Sequence, residues 1–314
     1  MQELRLGQMV RRRREELNIN QDDLCRGLCD RTALSRFENG HQVLSRKRVV
    51  ALLQRLGLPD DRFYALLSED ELALEEAERE ARSTAVRLEQ AAEAERPALW
   101  ALFREKLAAL EALGPDDPVV RQCSLSLRAV QGTEEGPYPF EERLGMLLEA
   151  LRLTAPRFDL ERVGLGPYSA EELRLIKQIA STYTEAGRYE EAVRVYRMAL
   201  EYLEANSRHL SQYAYLKPTY AAGCGNALSR IGRYQEALEI TEEGLLASIE
   251  SRRYHVVASL LWVQAYCRYC MGEREKCISL YRQVHYMLAA TRDMARLQYL
   301  DEGNKKILGI EFPD

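Results

Sequence analysis

One six-residue phrase occurs three times in the second half of this 314-residue chain. It reads Gly187-Arg188-Tyr189-Glu190-Glu191-Ala192, then Gly232-Arg233-Tyr234-Gln235-Glu236-Ala237, then Gly272-Glu273-Arg274-Glu275-Lys276-Cys277, at offsets of 45 and 40 residues. Apolar and small residues flank each phrase at helical spacing. Around the first are Ile176, Ile179, Ala180, Tyr183, Ala192, Tyr196 and Ala199; around the second Cys224, Gly225, Leu228, Ala237 and Gly244; around the third Leu261, Ala265, Cys277 and Tyr281. Each phrase therefore marks the turn of a helix pair. Small residues let the two helices approach, and large ones fill the groove between them. One pair cannot bury its apolar face alone, so neighbouring pairs must stack. Alternating β-branched runs do not occur, and Pro and Gly mostly punctuate helical runs. The fold class is all-α, with a C-terminal α-solenoid. Trp100–Leu113, Val119–Val130, Phe140–Leu153 and a helix from Ser169 extend this body over residues 97–314.

The N-terminal stretch differs in pattern. Gln21 to Glu38 reads as two short helices joined by a tight turn. Leu24 and Leu28 lie four apart, Leu34 and Phe37 three apart, and Cys29-Asp30 interrupts the periodicity. Cys25 is a small residue where the helices would cross. The second helix shows Arg31, Thr32, Ser35 and Arg36 on its other face, and such a helix can enter a DNA major groove. Either Arg31 or Arg36 could read guanine in bidentate fashion. Asn39-Gly40 ends the helix. Gln21, at a helix N-terminus, is placed to reach a phosphate, as are His41, Ser45, Arg46 and Lys47 at the start of the next helix. Arg11 to Arg14 ride on a first helix carrying Leu6, Met9, Val10 and Leu17. All four could meet phosphate; alternatively Arg14 pairs with Glu38 and ties the first helix to the third. Val49, Val50, Leu52, Leu53 and Leu56 form the buried face of a fourth helix. Pro59 starts a fifth with Phe63, Leu66 and Leu67. Residues 1–67 thus read as a helix-turn-helix DNA-binding domain.

Charge supports this division. The net charge is −5, which alone argues against a nucleic-acid binder. Residues 1–60 hold twelve Arg/Lys and eight Asp/Glu, a net of +4, so the remainder carries −9. Residues 68–96 are a connector with ten acidic and four basic residues and no Gly or Pro before Pro97. Ser68-Glu69-Asp70-Glu71 is a capping box at its start. Its apolar positions are mostly Ala. It reads either as a solvated single helix or as a connecting helix that carries motion or packs against a partner subunit.

These motifs resemble a known family. Ser35-Arg36-Phe37-Glu38-Asn39-Gly40, with Gln21 and Cys25, is similar to the Xre-type helix-turn-helix. Leu24-Cys25-Arg26-Gly27-Leu28-Cys29-Asp30 resembles the turn of the Rgg/PlcR branch of the RRNPP quorum-sensing regulators. Leu44 stands where the family often has Pro. The repeat phrases resemble tetratricopeptide repeats, and Glu149–Thr154 with Phe158-Asp159 and Leu173 resembles the degenerate repeats that precede them in such regulators. The resemblance implies the Arg14–Glu38 pair, a cytoplasmic homodimer on double-stranded DNA, and a short signalling peptide on the concave side of the repeats.

The first helix of each pair lines that side. Its polar candidates are Lys177, Gln178 and Ser181; then Asn226, Ser229 and Arg230; then Trp262, Tyr266 and Tyr269. Amides and cations suit a peptide backbone and terminus, and aromatics suit its side chains. Asn226 leads, because an amide donates and accepts at once. The alternative function is a DNA-binding regulator whose repeats dock a protein partner.

Little else competes. Cys267 and Cys270 form a lone CxxC, a weak hint of redox or zinc chemistry, and the seven cysteines lack framework spacing. His209, His255 and His285 are scattered, and no HExxH or Gly-rich phosphate loop occurs, so neither cofactor nor enzymatic activity is expected. No apolar run approaches the ~18 residues of a membrane span, and Arg11–Arg14 split any signal-peptide core, so no membrane association is expected.

Overall fold

The computed structural model describes residues 2–58, 69–91, 93–206, 215–252 and 254–309. Among these residues the regular structure is helical, with one isolated bridge between Thr133 and Gly136. The chain divides into two compact units, residues 1–182 with 204–212, and residues 183–203 with 213–314.

The first unit opens with the head. α1 (Gln2–Glu16), α2 (Gln21–Cys25), α3 (Arg31–Glu38) and α4 (Arg46–Arg55) enclose one core. Val10, Leu24, Cys25, Leu28, Leu34, Phe37, Leu44, Leu52, Leu53 and Leu56 are buried there. Local chemistry sets the short helices. Asn20 caps α2 by accepting from Asp23 N at 2.8 Å, and Asp30 caps α3 by accepting from Ala33 N at 2.7 Å. Leu28 is buried but lies in the turn, since α2 stops at Cys25. Gly27 turns the chain at φ +73°, and a Cβ there would stand 2.2 Å from Thr154 O of the body. The fifth helix expected from Pro59, with Phe63, Leu66 and Leu67, lies outside the described residues, as does Ser68.

α5 (Glu69–Gln90) and α6 (Arg96–Leu113) follow, with Pro97 in the first turn of α6. The solvated-helix reading of the connector is corrected. Ala81, Ala85 and Leu88 of α5 are buried against Phe103, Leu107 and Leu110 of α6, and against Val120, Cys123 and Leu127 of α7 (Pro118–Gln131). α8 (Phe140–Thr154) and α9 (Ala170–Glu185) come next. The head, the connector and the helices up to residue 182 fall within one of the two units.

The second unit holds α10 (Tyr189–Ala205) up to Leu203, with α11 (Lys217–Arg230), α12 (Tyr234–Glu250), α13 (Val257–Cys270), α14 (Arg274–Ala290) and α15 (Met294–Leu308). Gly187, Gly232 and Gly272 adopt φ +74°, +77° and +77°, so each phrase supplies the left-handed residue its turn requires. α11 and α13 each have 14 residues, and α10, α12 and α14 each have 17. The difference between the offsets of 45 and 40 therefore does not arise from the lengths of these helices. Close approach depends on missing side chains. A Cβ on Gly225 would stand 2.4 Å from Thr241 Cγ2, and one on Gly244 2.7 Å from Ala221 Cβ. A further turn, which no phrase announces, places Arg292 at φ +56° before α15. Leu297 and Leu300 then pack with Ala258, Leu261, Val284 and Leu288.

Candidate nucleic-acid interface and repeat face

Glu38, 2% exposed, organises the head's polar interior. Arg14 Nε donates to its Oε1 at 2.7 Å and Arg14 Nη2 to its Oε2 at 3.0 Å, so the tie from α1 to α3 is formed. The hydrogen bond to Glu38, opposed by burial, raises the Arg14 pKa. Gln21 Nε2 donates to the same Oε2 at 2.7 Å. The amide expected to meet phosphate is therefore directed to an internal carboxylate. A sequence places both groups at a helix end and cannot choose between them.

Arg31, Thr32 and Arg36 are exposed on α3, and Ser35 is half-buried. Arg31 Nη1 lies 3.6 Å from Asp22 Oδ2. The Arg36 guanidinium has no hydrogen bond or ion pair among the described residues. Behind it the chain leaves α3 through paired turns, Gly40 N to Phe37 O at 3.0 Å and His41 N to Arg36 O at 2.8 Å. Asn39 Nδ2 donates to Ser35 O at 2.8 Å, while Arg11 Nη1 reaches Asn39 Oδ1 at 3.5 Å. His41 is exposed. Gln42, unremarked in the sequence, is exposed beside it, and only its place just after the helix-stopping glycine could have signalled it. On α1, Arg13 donates to Leu56 O at 3.2 Å, whereas Arg12 projects outward, its side chain 84% exposed.

Arg46 and Lys47 depart from expectation. Arg46 Nη1 lies 2.8 Å from Glu75 Oε1 and is 10% exposed, and Lys47 pairs with Glu78. Both cations expected at phosphate are engaged by α5, because the carboxylates of a helix 29 or more residues away fold onto them. Burial opposes ionisation of Glu78, but Lys47 and Arg82 outweigh it, and its carboxyl lies below 4.5.

The repeat-face residues are divided between the units. In the first, Lys177, Gln178 and Ser181 are half-buried on α9. Ser126 Oγ donates to Gln178 Oε1 at 3.0 Å, so this amide oxygen is already in use within the unit. In the second, Asn226 is half-buried, and its side-chain amide has no hydrogen bond among the described residues. Ser229 is corrected: it is 3% exposed and its hydroxyl donates to Asn226 O at 2.7 Å. Arg230 is exposed, with its guanidinium 5.5 Å from the centroid of Tyr266, a cation–π contact between neighbouring helices. Burial, with Cys270 alongside, raises the Tyr266 hydroxyl and keeps it neutral. Trp262 stacks on Tyr299 at 5.8 Å and 28°. Tyr299 is 70% exposed and Tyr269 41%. Tyr299 escaped the sequence reading, although it lies near one repeat offset beyond Trp262. Asn226, Arg230, Trp262, Tyr266 and Tyr299 thus form a polar and aromatic face on α11, α13 and α15.

The lone CxxC is split by its helix. Cys267 is buried, which pushes its thiol up to about 12, and Cys270 is exposed. His285 is buried with Nδ1 2.8 Å from Asp301 Oδ1, joining α14 to α15, and His255 is exposed; His209 lies outside the described residues. No helix among the described residues is long and apolar enough to cross a membrane.

A helix-turn-helix domain model matches residues 5–66, and a tetratricopeptide repeat model matches residues 175–208. No curated protein sequence matches the chain. Its structure is similar to that of PlcR from Bacillus thuringiensis in complex with the peptide PapR7 and DNA. The TM-score is 0.60 at 17% identity, covering 95% of this chain and 99% of that one. The apo form of the same protein gives a TM-score of 0.56 at 16% identity, covering 95% and 98%. The chain therefore combines a helix-turn-helix domain with tetratricopeptide repeats, in that order, on a fold like that of PlcR.

Proposed function

We propose that this protein is a transcription regulator that binds specific DNA through α3 and a short peptide through its repeats. The observation that carries the DNA reading is the outer face of α3. Arg31, Thr32 and Arg36 are exposed there on a helix-turn-helix frame, and Arg36 has no partner among the described residues. An exposed guanidinium at that position suits bidentate contact with guanine. PlcR, which shares the fold, was crystallised with a peptide and DNA together. The peptide reading is supported by Asn226 and the aromatic face around it. The protein acts as a homodimer, since one head of this size supplies few phosphate contacts. Peptide occupancy shifts how two heads are spaced.

The test is a genome-wide map of bound sites, repeated with and without spent culture medium. Arg36→Ala is expected to weaken binding to a mapped site more than to random duplex, by about 1–3 kcal/mol for a lost bidentate base contact. Equal loss on both would make Arg36 a phosphate contact. A peptide from the medium should raise the melting temperature of the wild type and not that of Asn226→Ala.

A further inference from the structure

α4 carries four charged residues, Arg46, Lys47, Arg48 and Arg55, and all are basic. Each is matched to a carboxylate from beyond the head. Arg46 meets Glu75 at 2.8 Å, Lys47 meets Glu78, Arg48 meets Asp117 at 3.6 Å and Arg55 meets Glu172 at 2.6 Å. These pairs are not equivalent. Arg55 and Glu172 are 2% and 0% exposed, and Arg55 also donates to Leu24 O, Arg26 O and Thr154 O, so this pair is structural. Glu75 and Glu78 are 39% and 25% exposed, at the solvent edge of α5.

Arg46 and Lys47 are the first two residues of α4. Ser45 before them makes no side-chain cap, and its Oγ is buried without a partner. A carboxylate and a phosphate offer the same kind of anionic oxygens to a guanidinium or ammonium. A crevice of about 680 Å³ borders these pairs, lined in part by Arg46, Lys47, Glu75, Glu78 and Arg82. Both glutamates line this crevice rather than the apolar core, and Glu78 also accepts from Arg82 Nε at 3.0 Å.

We infer that Glu75 and Glu78 compete with DNA phosphate for Arg46 and Lys47, so that α5 restrains the head's non-specific affinity. This rests on the DNA-binding reading of the head. With the carboxylates in place, two cations at the start of α4 are withheld from the duplex. Withdrawing them adds two phosphate contacts without altering the face of α3.

The full-length protein is titrated with a random-sequence DNA duplex over a series of KCl concentrations. Each neutralised phosphate contributes about 0.9 to the slope of log affinity against log salt. Glu75→Gln with Glu78→Gln should bind more tightly at low salt, with a slope steeper by about 1.8. Adding Arg46→Gln and Lys47→Gln should return the slope to that of the wild type. If the double variant folds poorly, Glu75→Gln alone decides, with an expected steepening of about 0.9. An unchanged slope in a variant that melts like the wild type overturns the inference while leaving the DNA reading intact. Failure of the wild type to bind any duplex at low salt would instead overturn the DNA reading beneath it.

Discussion

Glu38 accepts three side-chain hydrogen bonds, two from Arg14 and one from Gln21, within a core that leaves it 2% exposed. Removing it leaves Arg14, 9% exposed, as a buried cation without its counter-charge. Glu38→Ala should cost the head about 3–5 kcal/mol, measured by urea unfolding, and Glu38→Gln less, since an amide still accepts. The Arg14 tie was legible in the sequence, because the helical positions of Arg14 and Glu38 and the family resemblance agree. The Gln21 contact was not. An amide at a helix start serves a phosphate or a carboxylate equally, and only the position of Glu38 in space decides. Arg46 follows the same rule: its chemistry suits phosphate, and Glu75 reached it first.

At the scale of elements, glycine separates packing from propensity. Gly244 lies on α12 where an added Cβ meets Ala221 Cβ at 2.7 Å and Leu260 Cδ2 at 2.8 Å. Gly145 lies exposed on α8, where a Cβ meets nothing within 4 Å. Gly244→Ala should destabilise the second unit by about 1–3 kcal/mol through overpacking. Gly145→Ala should stabilise its helix by up to about 1 kcal/mol. Melting temperatures of the two variants should move in opposite directions. The solvated alternative for α5 failed for a related reason. Its buried stripe is built from Ala81, Ala85 and Leu88, and alanine gives a weak apolar period beside so many carboxylates. The repeat turns carried a sharper signal, since a left-handed residue between two helices favours glycine. Arg292 shows the exception that no glycine search finds.

Across the first unit, ion pairs join the head to α5, α7 and α9, and their protonation gives a test at the molecular scale. Glu78 and Glu171 are half-buried, which opposes ionisation, but Lys47 and Arg82 hold Glu78, and Arg82 and Arg174 hold Glu171, below the ordinary 4.5. A depressed carboxylate contributes stability above its unfolded value and loses it as pH falls through the folded value. The melting temperature should therefore hold down to about pH 4.5 and fall below it. Glu78→Gln should flatten that fall; an equal fall in the variant would assign it to other groups. What the sequence determined by itself was local: which segments are helices, where the repeats turn, the order of a basic head and an acidic body, and which residue types face outward on α3. Those follow from periodicity and turn chemistry within a few residues. Tertiary structure alone decided which cations remain available. Arg36 and Arg46 have the same side chain, yet one stands without a partner among the described residues and the other lies under Glu75. A charge is paired by what folds against it, and that carboxylate lies 29 residues further along the chain.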